Sequence, residues 1–156
     1  MMKILNRYHY YTFSSYLLAI SVIIITSAIV VGISWLIRDN EFFYIPNTLT
    51  FGIFIPDYIL LGVLVLVTSI IFYFDVYKHY MIPVVLFLSG GWSNGIEKLL
   101  FDSVTDYIPF INSYINIADI MIWVGLIWLN IMIWFFPSKS DLLESKLSNP
   151  ENRTKK

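Results

Sequence analysis

The run that decides the fold is Ile117-Ala-Asp-Ile-Met-Ile-Trp-Val-Gly-Leu-Ile-Trp-Leu-Asn-Ile-Met-Ile-Trp-Phe-Phe136, which is apolar apart from Asp119 near its start and Asn130. A helix of about 20 apolar residues crosses the hydrocarbon core of a bilayer. This run therefore predicts a membrane-spanning helix. An ionisable side chain at the head of such a span is costly, so Asp119 is a candidate functional residue.

Three further apolar runs precede it, at residues 16–37, 58–74 and 81–96. The first is too long for the apolar core of a signal peptide, which has about 7–15 residues. The other two lie near the lower limit of about 17 residues for a span, and Ser89-Gly90-Gly91 interrupts the third. We expect an all-α polytopic membrane protein with four transmembrane helices at 16–37, 58–74, 81–96 and 117–136.

Two more segments complete the predicted organisation. Residues 38–57 mix aromatic and β-branched side chains with turn-forming residues, which favours short strands. We therefore expect a small extracytoplasmic β-rich segment beside the helices. A single domain is predicted over residues 1–137, followed by a polar tail over residues 138–156.

The positive charges predict the orientation of the four spans. Cytoplasmic segments are enriched in Lys and Arg. Four crossings leave only Arg38 and Lys98, of the ten basic residues, on one side. The rest fall on the other side: Lys3, Arg7, Lys78, Lys139, Lys146, Arg153, Lys155 and Lys156. Both termini and the tail are therefore predicted to be cytoplasmic, and segments 38–57 and 97–116 to face outward.

Composition excludes several classes of function. A net charge of −1 provides no basic patch, so no nucleic-acid partner is expected. The absence of cysteine removes thiol nucleophiles and thiolate metal sites. The chain has no His-Glu-x-x-His zinc motif and no Gly-x-Ser-x-Gly nucleophile motif. Any hydrolytic chemistry would fall to carboxylates, and we expect neither a metal nor an organic cofactor.

The two outward acids, Asp106 and Asp119, allow two readings. Asn116 can cap the last helix with Asp119 at the third helical position, which is a capping-box arrangement with a structural purpose alone. Alternatively, two neighbouring carboxylates can share one proton and activate water. Asp106 is an ordinary loop acid unless it pairs with Asp119. Asp57, which follows Pro56, is predicted to be an N-cap.

Three motifs resemble those of the lipoprotein signal peptidase (signal peptidase II) family, and they occur in the family's order and topology. They are Ser89-Gly-Gly-Trp-Ser-Asn-Gly-Ile-Glu-Lys98, Val104-Thr-Asp-Tyr-Ile108 and Tyr114-Ile-Asn-Ile-Ala-Asp-Ile120. The family patterns read approximately G-G-x-x-G-N-x-x-D-R, V-V-D-F and F-N-x-A-D. Each motif alone is weak, but the ordered set is specific.

The resemblance implies an intramembrane aspartic endopeptidase of the bacterial cytoplasmic membrane with its active site at the outer face. Such an enzyme removes the signal peptide from diacylglyceryl-modified prolipoproteins by cutting just before the lipidated cysteine. Its partners would be that lipid-modified substrate and membrane lipids. By motif, Asp106 and Asp119 would be catalytic, and the supporting or substrate-binding set would be Asn94, Asn116, Glu97, Lys98, Asn47 and Arg38.

The chain departs from the family pattern at several of these positions. Ser34 and Arg38 stand where the family has aspartate and lysine, and Glu97-Lys98 stands where it has Asp-Arg. These substitutions motivate one alternative, a catalytically silent homologue that binds lipidated signal peptides. A second alternative is a small proton-coupled transporter, which would spread acids through the membrane depth. The clustering of the acids at one face disfavours the transporter.

Overall fold

The structure is a computed structural model that describes residues 2–40, 43–48, 56–74 and 80–135, with side chains from residue 14 onward. The described part is mostly helical, with helices α1 (Met2–Asp39), α2 (Asp57–Tyr73), α3 (Met81–Phe101) and α4 (Ile117–Phe135). Its strands are short: β1 (Ile45–Asn47), β2 (Val104–Asp106), β3 (Ile108–Phe110) and β4 (Ser113–Ile115). The predicted tail at 138–156 lies outside the described residues.

Two stretches of helix in the described part are long and apolar enough to cross a membrane, Ser14–Asp39 and Ile117–Phe135. Helix α2 is apolar but shorter, with 17 residues. Helix α3 runs through Ser89-Gly90-Gly91 without a break and continues to Phe101, five residues beyond the predicted end of the third run. Large apolar side chains face outward on α4, as Trp123, Ile127 and Trp134 show. Apolar surface of this extent matches a lipid environment better than water.

Helix α3 lies at the centre and packs against each of the other helices. Its tightest packing is against α4, where a Cβ at Gly90 would lie 2.5 Å from the Ala118 carbonyl oxygen. A Cβ at Gly125 would lie 2.6 Å from the Phe87 amide nitrogen. Small residues let helix backbones approach closely in membranes. The glycines that interrupt the apolar run in the sequence therefore serve helix packing.

Helix α2 contacts α3 along a separate face. The Leu64 side chain fills the space over Gly91 and Gly95. The indole Nε1 of Trp92 donates a hydrogen bond of 3.1 Å to Thr68 Oγ1. These contacts pack α2 against α3, and a cavity separates part of α2 from α4.

The prediction that Asp57 caps α2 is wrong by one residue. Pro56 occupies the N-cap with φ −55° and ψ 140°, and Asp57 is the first helical residue. The Asp57 carboxylate is directed at Lys98 Nζ, 3.8 Å away, instead of at the backbone of its own helix. An acid in the first turn still interacts favourably with the helix dipole.

The short strands form two antiparallel pairs, β1 with β2 and β3 with β4. In the first pair, Ile45 lies opposite Asp106 and Pro46 opposite Thr105. Asp102 adopts a left-handed conformation at φ 58°, which ends α3 and turns the chain into β2. Of the segment predicted to be β-rich, residues 41–42 and 49–55 lie outside the described residues. The strands gather at the C-terminal end of α3 and the N-terminal end of α4.

Candidate active site

Asp119 is held in the first turn of α4 by a reciprocal cap. Asn116 Oδ1 accepts the Asp119 backbone N–H at 2.9 Å, and Asp119 Oδ2 accepts the Asn116 backbone N–H at 3.3 Å. This is the capping-box geometry that the spacing of the two residues predicts. The cap leaves Asp119 Oδ1 for a third partner, Asn94, whose Nδ2 donates to it at 2.8 Å.

Asp106 ends strand β2 and is 3% exposed. Its carboxylate accepts two side-chain hydrogen bonds, from Asn47 Nδ2 to Oδ2 at 2.9 Å and from Asn116 Nδ2 to Oδ1 at 2.9 Å. Asn47 comes from β1, which pairs with β2, and Asn116 from the start of α4. Three separate elements therefore converge on this one carboxyl group.

Asn116 brings the two acids together. Its side-chain amide donates to Asp106, and its backbone N–H donates to Asp119. Because one residue contacts both carboxylates, Asp106 and Asp119 lie close together in the folded chain although 12 residues separate them in the sequence. The capping and pairing readings of Asp119 are thus compatible, since one Asn116 serves both.

The environment of Asp106 disfavours its ionised form. Burial raises the pKa of the Asp106 carboxyl above its ordinary value, and the nearby Asp119 and Glu97 charges raise it further, against the lowering effect of the hydrogen bonds from Asn47 and Asn116. Desolvation and like charge both favour the neutral acid. Asp106 is therefore suited to retain a proton to higher pH than a free aspartate.

Both acids face a cavity of about 390 Å³ between α2 and α4. Its floor is α3, which contributes Asn94, Gly95 and Lys98, and hairpin β3–β4 forms one end with Tyr114. Much of the remaining wall is apolar, from residues such as Leu60 and Ile122. A larger apolar groove of about 820 Å³ lies between α1, α2 and α3, and neither aspartate lines it. Of these two cavities, the smaller one contains both aspartates.

The structure assembles only part of the predicted set around this cavity. Asn47, Asn94 and Lys98 line it beside the two aspartates. Asn116 does not line the cavity, but it donates hydrogen bonds to both carboxylates. Glu97 and Arg38 are not among its lining residues and instead contact Thr105 on β2.

Glu97 and Lys98 are adjacent in the sequence but contact different helices. Both are buried, at 1% and 3% exposure. Glu97 lies 3.5 Å from Arg38 of α1, while Lys98 faces Asp57 of α2. Successive residues of a helix point in directions about 100° apart, so each finds a different neighbour. Sequence reasoning missed Thr105, whose position directly before Asp106 is its only signal.

No group of three or more His, Asp and Glu side chains close enough to hold a metal ion occurs among residues 14–40, 43–48, 56–74 and 80–135. The polar side chains that line the cavity are two carboxylates, two amides, one ammonium and the hydroxyls of Ser113 and Tyr114. Such a set can transfer protons and bind a peptide backbone.

Comparisons with known proteins identify the family of this chain. Residues 41–135, more than half of the chain, match the family described as "Signal peptidase (SPase) II". Two relatives are both called "Lipoprotein signal peptidase". The protein from Sulfurovum sp. (strain NBC37-1) is 31% identical over 67 residues, which is 40% of this chain and 46% of the relative. The protein from Clostridioides difficile (strain 630) is 40% identical over 60 residues, which is 36% of this chain and 40% of the relative. The chain thus matches less than half the length of each of these relatives.

A solved structure described as "Bacterial membrane enzyme structure by the in meso method at 1.9 A resolution" has a similar fold. It superposes with a TM-score of 0.61 at 16% sequence identity, covering 77% of this chain and 94% of that one. At this identity the likeness concerns the fold alone. The match over residues 41–135, together with the ordered motifs, leads to one conclusion: the chain belongs to the signal peptidase (SPase) II family.

Proposed function

We propose that this chain is an intramembrane aspartic endopeptidase that removes the signal peptide from diacylglyceryl-modified prolipoproteins, cutting just before the lipidated cysteine. The observation that carries the proposal is the pairing of Asp106 and Asp119 through Asn116 at a largely apolar cavity. The family and the names of the relatives support the substrate class.

The chemistry follows from the unequal surroundings of the two acids. Asp106 has a raised pKa and holds the shared proton. Asp119, oriented by Asn94 and the cap, takes a proton from water as the water oxygen attacks the scissile carbonyl carbon. The Asp106 proton passes to the carbonyl oxygen and gives a neutral tetrahedral diol. The diol collapses as the amide nitrogen accepts a proton from Asp119 and leaves, and the proton of a diol hydroxyl returns to Asp106.

The proposed setting is the bacterial cytoplasmic membrane. A domain over residues 1–137 would cross it four times, with both termini and the tail at 138–156 in the cytoplasm and the aspartate pair at the outer face. The positive charges support this orientation. The cleft between α2 and α4 would admit the signal helix of the lipid-modified substrate sideways, so that its acyl chains remain among membrane lipids.

The decisive experiment is cleavage of a diacylated prolipoprotein by the purified protein in detergent. Asp106→Asn and Asp119→Asn should each reduce kcat by at least about 10³-fold, as loss of an acid–base group in such a unit does. Asp102→Asn is the matched control because Asp102 is exposed at the end of α3, outside the cavity. Normal cleavage by either cavity variant would refute the pair. Substrate binding without cleavage by the wild type would indicate the silent homologue.

A further inference from the structure

Glu97 lies behind the aspartate pair, and its contacts are made outside the cavity. Its carboxylate Oε1 accepts the backbone N–H of Thr105 at 2.8 Å and also the Thr105 hydroxyl. Glu97 and Thr105 are both buried, at 1% and 0% exposure. A buried carboxylate needs such partners because removal from water penalises its charge. Helix α3 thus holds strand β2 through this acid.

Arg38 supplies the compensating charge and a second attachment to the same segment. Its NH2 lies 3.5 Å from Glu97 Oε1 and donates to the Ser103 carbonyl oxygen at 2.8 Å. Its Nε donates to Thr105 Oγ1, whose own proton goes to Glu97. The guanidinium also lies over the Phe101 ring, 4.8 Å from its centroid. These contacts tie α1 to the C-terminal end of α3 and to the chain that leads from it to Asp106.

The strand geometry places these contacts on the opposite side from the chemistry. Successive side chains of a strand point to opposite faces, so Thr105 faces Glu97 while Asp106 faces the cavity. In the register of β1 with β2, Thr105 lies opposite Pro46. The Thr105 N–H donates to Glu97 of α3. The position of β2 therefore depends on α1 and α3 as well as on its partner strand.

We infer that Arg38, Glu97 and Thr105 form a clamp that positions Asp106 for catalysis without touching the substrate. This inference rests on the proposed aspartic protease function. The three residues are positioning residues, since the cavity wall includes Asp106 but none of them. The clamp also gives a structural role to two departures from the family pattern, because the arginine at 38 and the glutamate at 97 contact each other.

The clamp has an electrostatic consequence at the aspartate pair. Asp106 lies near Asp119 of α4 and Lys98 of α3 at the cavity, while Glu97 of α3 and Arg38 of α1 lie on the other side, against Thr105. The Glu97 charge raises the pKa of Asp106. Removal of that charge, which also exposes Asp106 to an uncompensated Arg38, should lower the pKa of Asp106.

The first test replaces Thr105 and distinguishes a role in positioning Asp106 from a role in stability alone. Thr105→Val keeps the side-chain shape and removes the hydroxyl, whereas Thr105→Ser keeps the hydroxyl. We expect Thr105→Val to lower kcat about 10- to 100-fold with KM within about twofold, because small displacements of catalytic groups act on the chemical step. Thr105→Ser should recover most of the rate. Thr26→Val is the matched control on α1, away from both the clamp and the cavity.

The second test is the pH profile of Glu97→Gln. The amide can still accept the Thr105 N–H but carries no charge. The basic limb of the kcat/KM profile should shift to lower pH by about 0.5 unit or more, as removal of a nearby like charge lowers the pKa of an acid. A role in folding alone would change the yield or Tm and leave this limb in place.

The outcomes distinguish the clamp from the function on which it rests. A wild-type kcat for Thr105→Val, or an unshifted profile for Glu97→Gln, would overturn the clamp provided that Asp106→Asn remains inactive. Cleavage by Asp106→Asn would instead overturn the proposed function. If Thr105→Val lowers the Tm of the purified protein too far for kinetics, the pH profile of Glu97→Gln decides alone.

Discussion

Gly90→Ala tests whether the close approach of α3 and α4 sets the geometry of the aspartate pair. The added Cβ would lie 2.5 Å from the Ala118 carbonyl oxygen and 2.9 Å from Ile122 Cγ1. The Ala118 oxygen belongs to the backbone of α4 and must retreat by about 0.9 Å to reach the 3.4 Å at which ordinary van der Waals contact begins. The side chain of Ile122 can rotate, but the helix backbone cannot yield locally.

The displacement acts directly on Asp119, the residue after Ala118. A shift of that size lengthens the Asn94–Asp119 hydrogen bond from 2.8 Å toward about 3.7 Å, beyond the range of such bonds. Overpacking costs about 1–3 kcal/mol, and a lost hydrogen bond to a charged group costs a further ~1.5–3 kcal/mol. We therefore expect destabilisation by roughly 2.5–6 kcal/mol and a fall in kcat of about 100-fold.

The assay is cleavage of diacylated prolipoprotein together with thermal unfolding of the purified protein in detergent. Gly32→Ala and Gly62→Ala are matched controls, because a Cβ at either glycine meets no heavy atom within 4 Å. Alanine also has the higher helix propensity, so both controls should keep wild-type activity and an equal or higher Tm. Wild-type kcat and Tm for Gly90→Ala would refute the reasoning that the glycine contact positions Asp119.

Variants at three further positions test the surroundings of the pair and the contact between α2 and α3. Asn47→Ala removes a hydrogen bond that lowers the pKa of Asp106, so the basic limb of the kcat/KM profile should move to higher pH, and a shift to lower pH would contradict the proton assignment. Asn116→Ser keeps an N-cap but removes the hydrogen bond from the side-chain amide to Asp106. Activity should therefore fall about 10- to 100-fold while the Tm is nearly retained. Asn116→Ala should lose both, and equal Tm values for the two variants would argue against the cap. Trp92→Phe removes the indole hydrogen bond to α2 and should cost about 0.5–1.5 kcal/mol in denaturant unfolding, while Trp134→Phe, on the exposed face of α4, should cost less.

Local rules account for the features that the sequence predicts well. The apolar runs at 58–74, 81–96 and 117–136 correspond to α2, α3 and α4 within a few residues, because hydrophobic length and helix propensity act along the chain. The cap at Asn116 and Asp119 depends on spacing within one turn, and it is found as predicted. The family is also recognisable from three short motifs.

The errors arose where a side chain had a choice of distant partners. Asp57 turns to Lys98 of α3 instead of capping its own helix. Glu97 and Lys98 are adjacent in sequence, yet they serve different elements. Each of these charged side chains is long enough to reach several neighbours. Burial requires that the charge find a partner, but the sequence does not show which neighbouring residue that partner is.

The sequence by itself determined the apolar helices, the cap that orients Asp119 and the membership of the family, since each depends on residues close together in the chain. Only the tertiary structure decided that Asn116 bridges Asp106 and Asp119, and that Arg38 and Glu97 meet at Thr105 behind them. Those contacts join α1, α3, α4 and the strands across up to 67 residues of sequence. Such contacts form only when the helices have packed, because the close approach at glycines sets how far each side chain must reach.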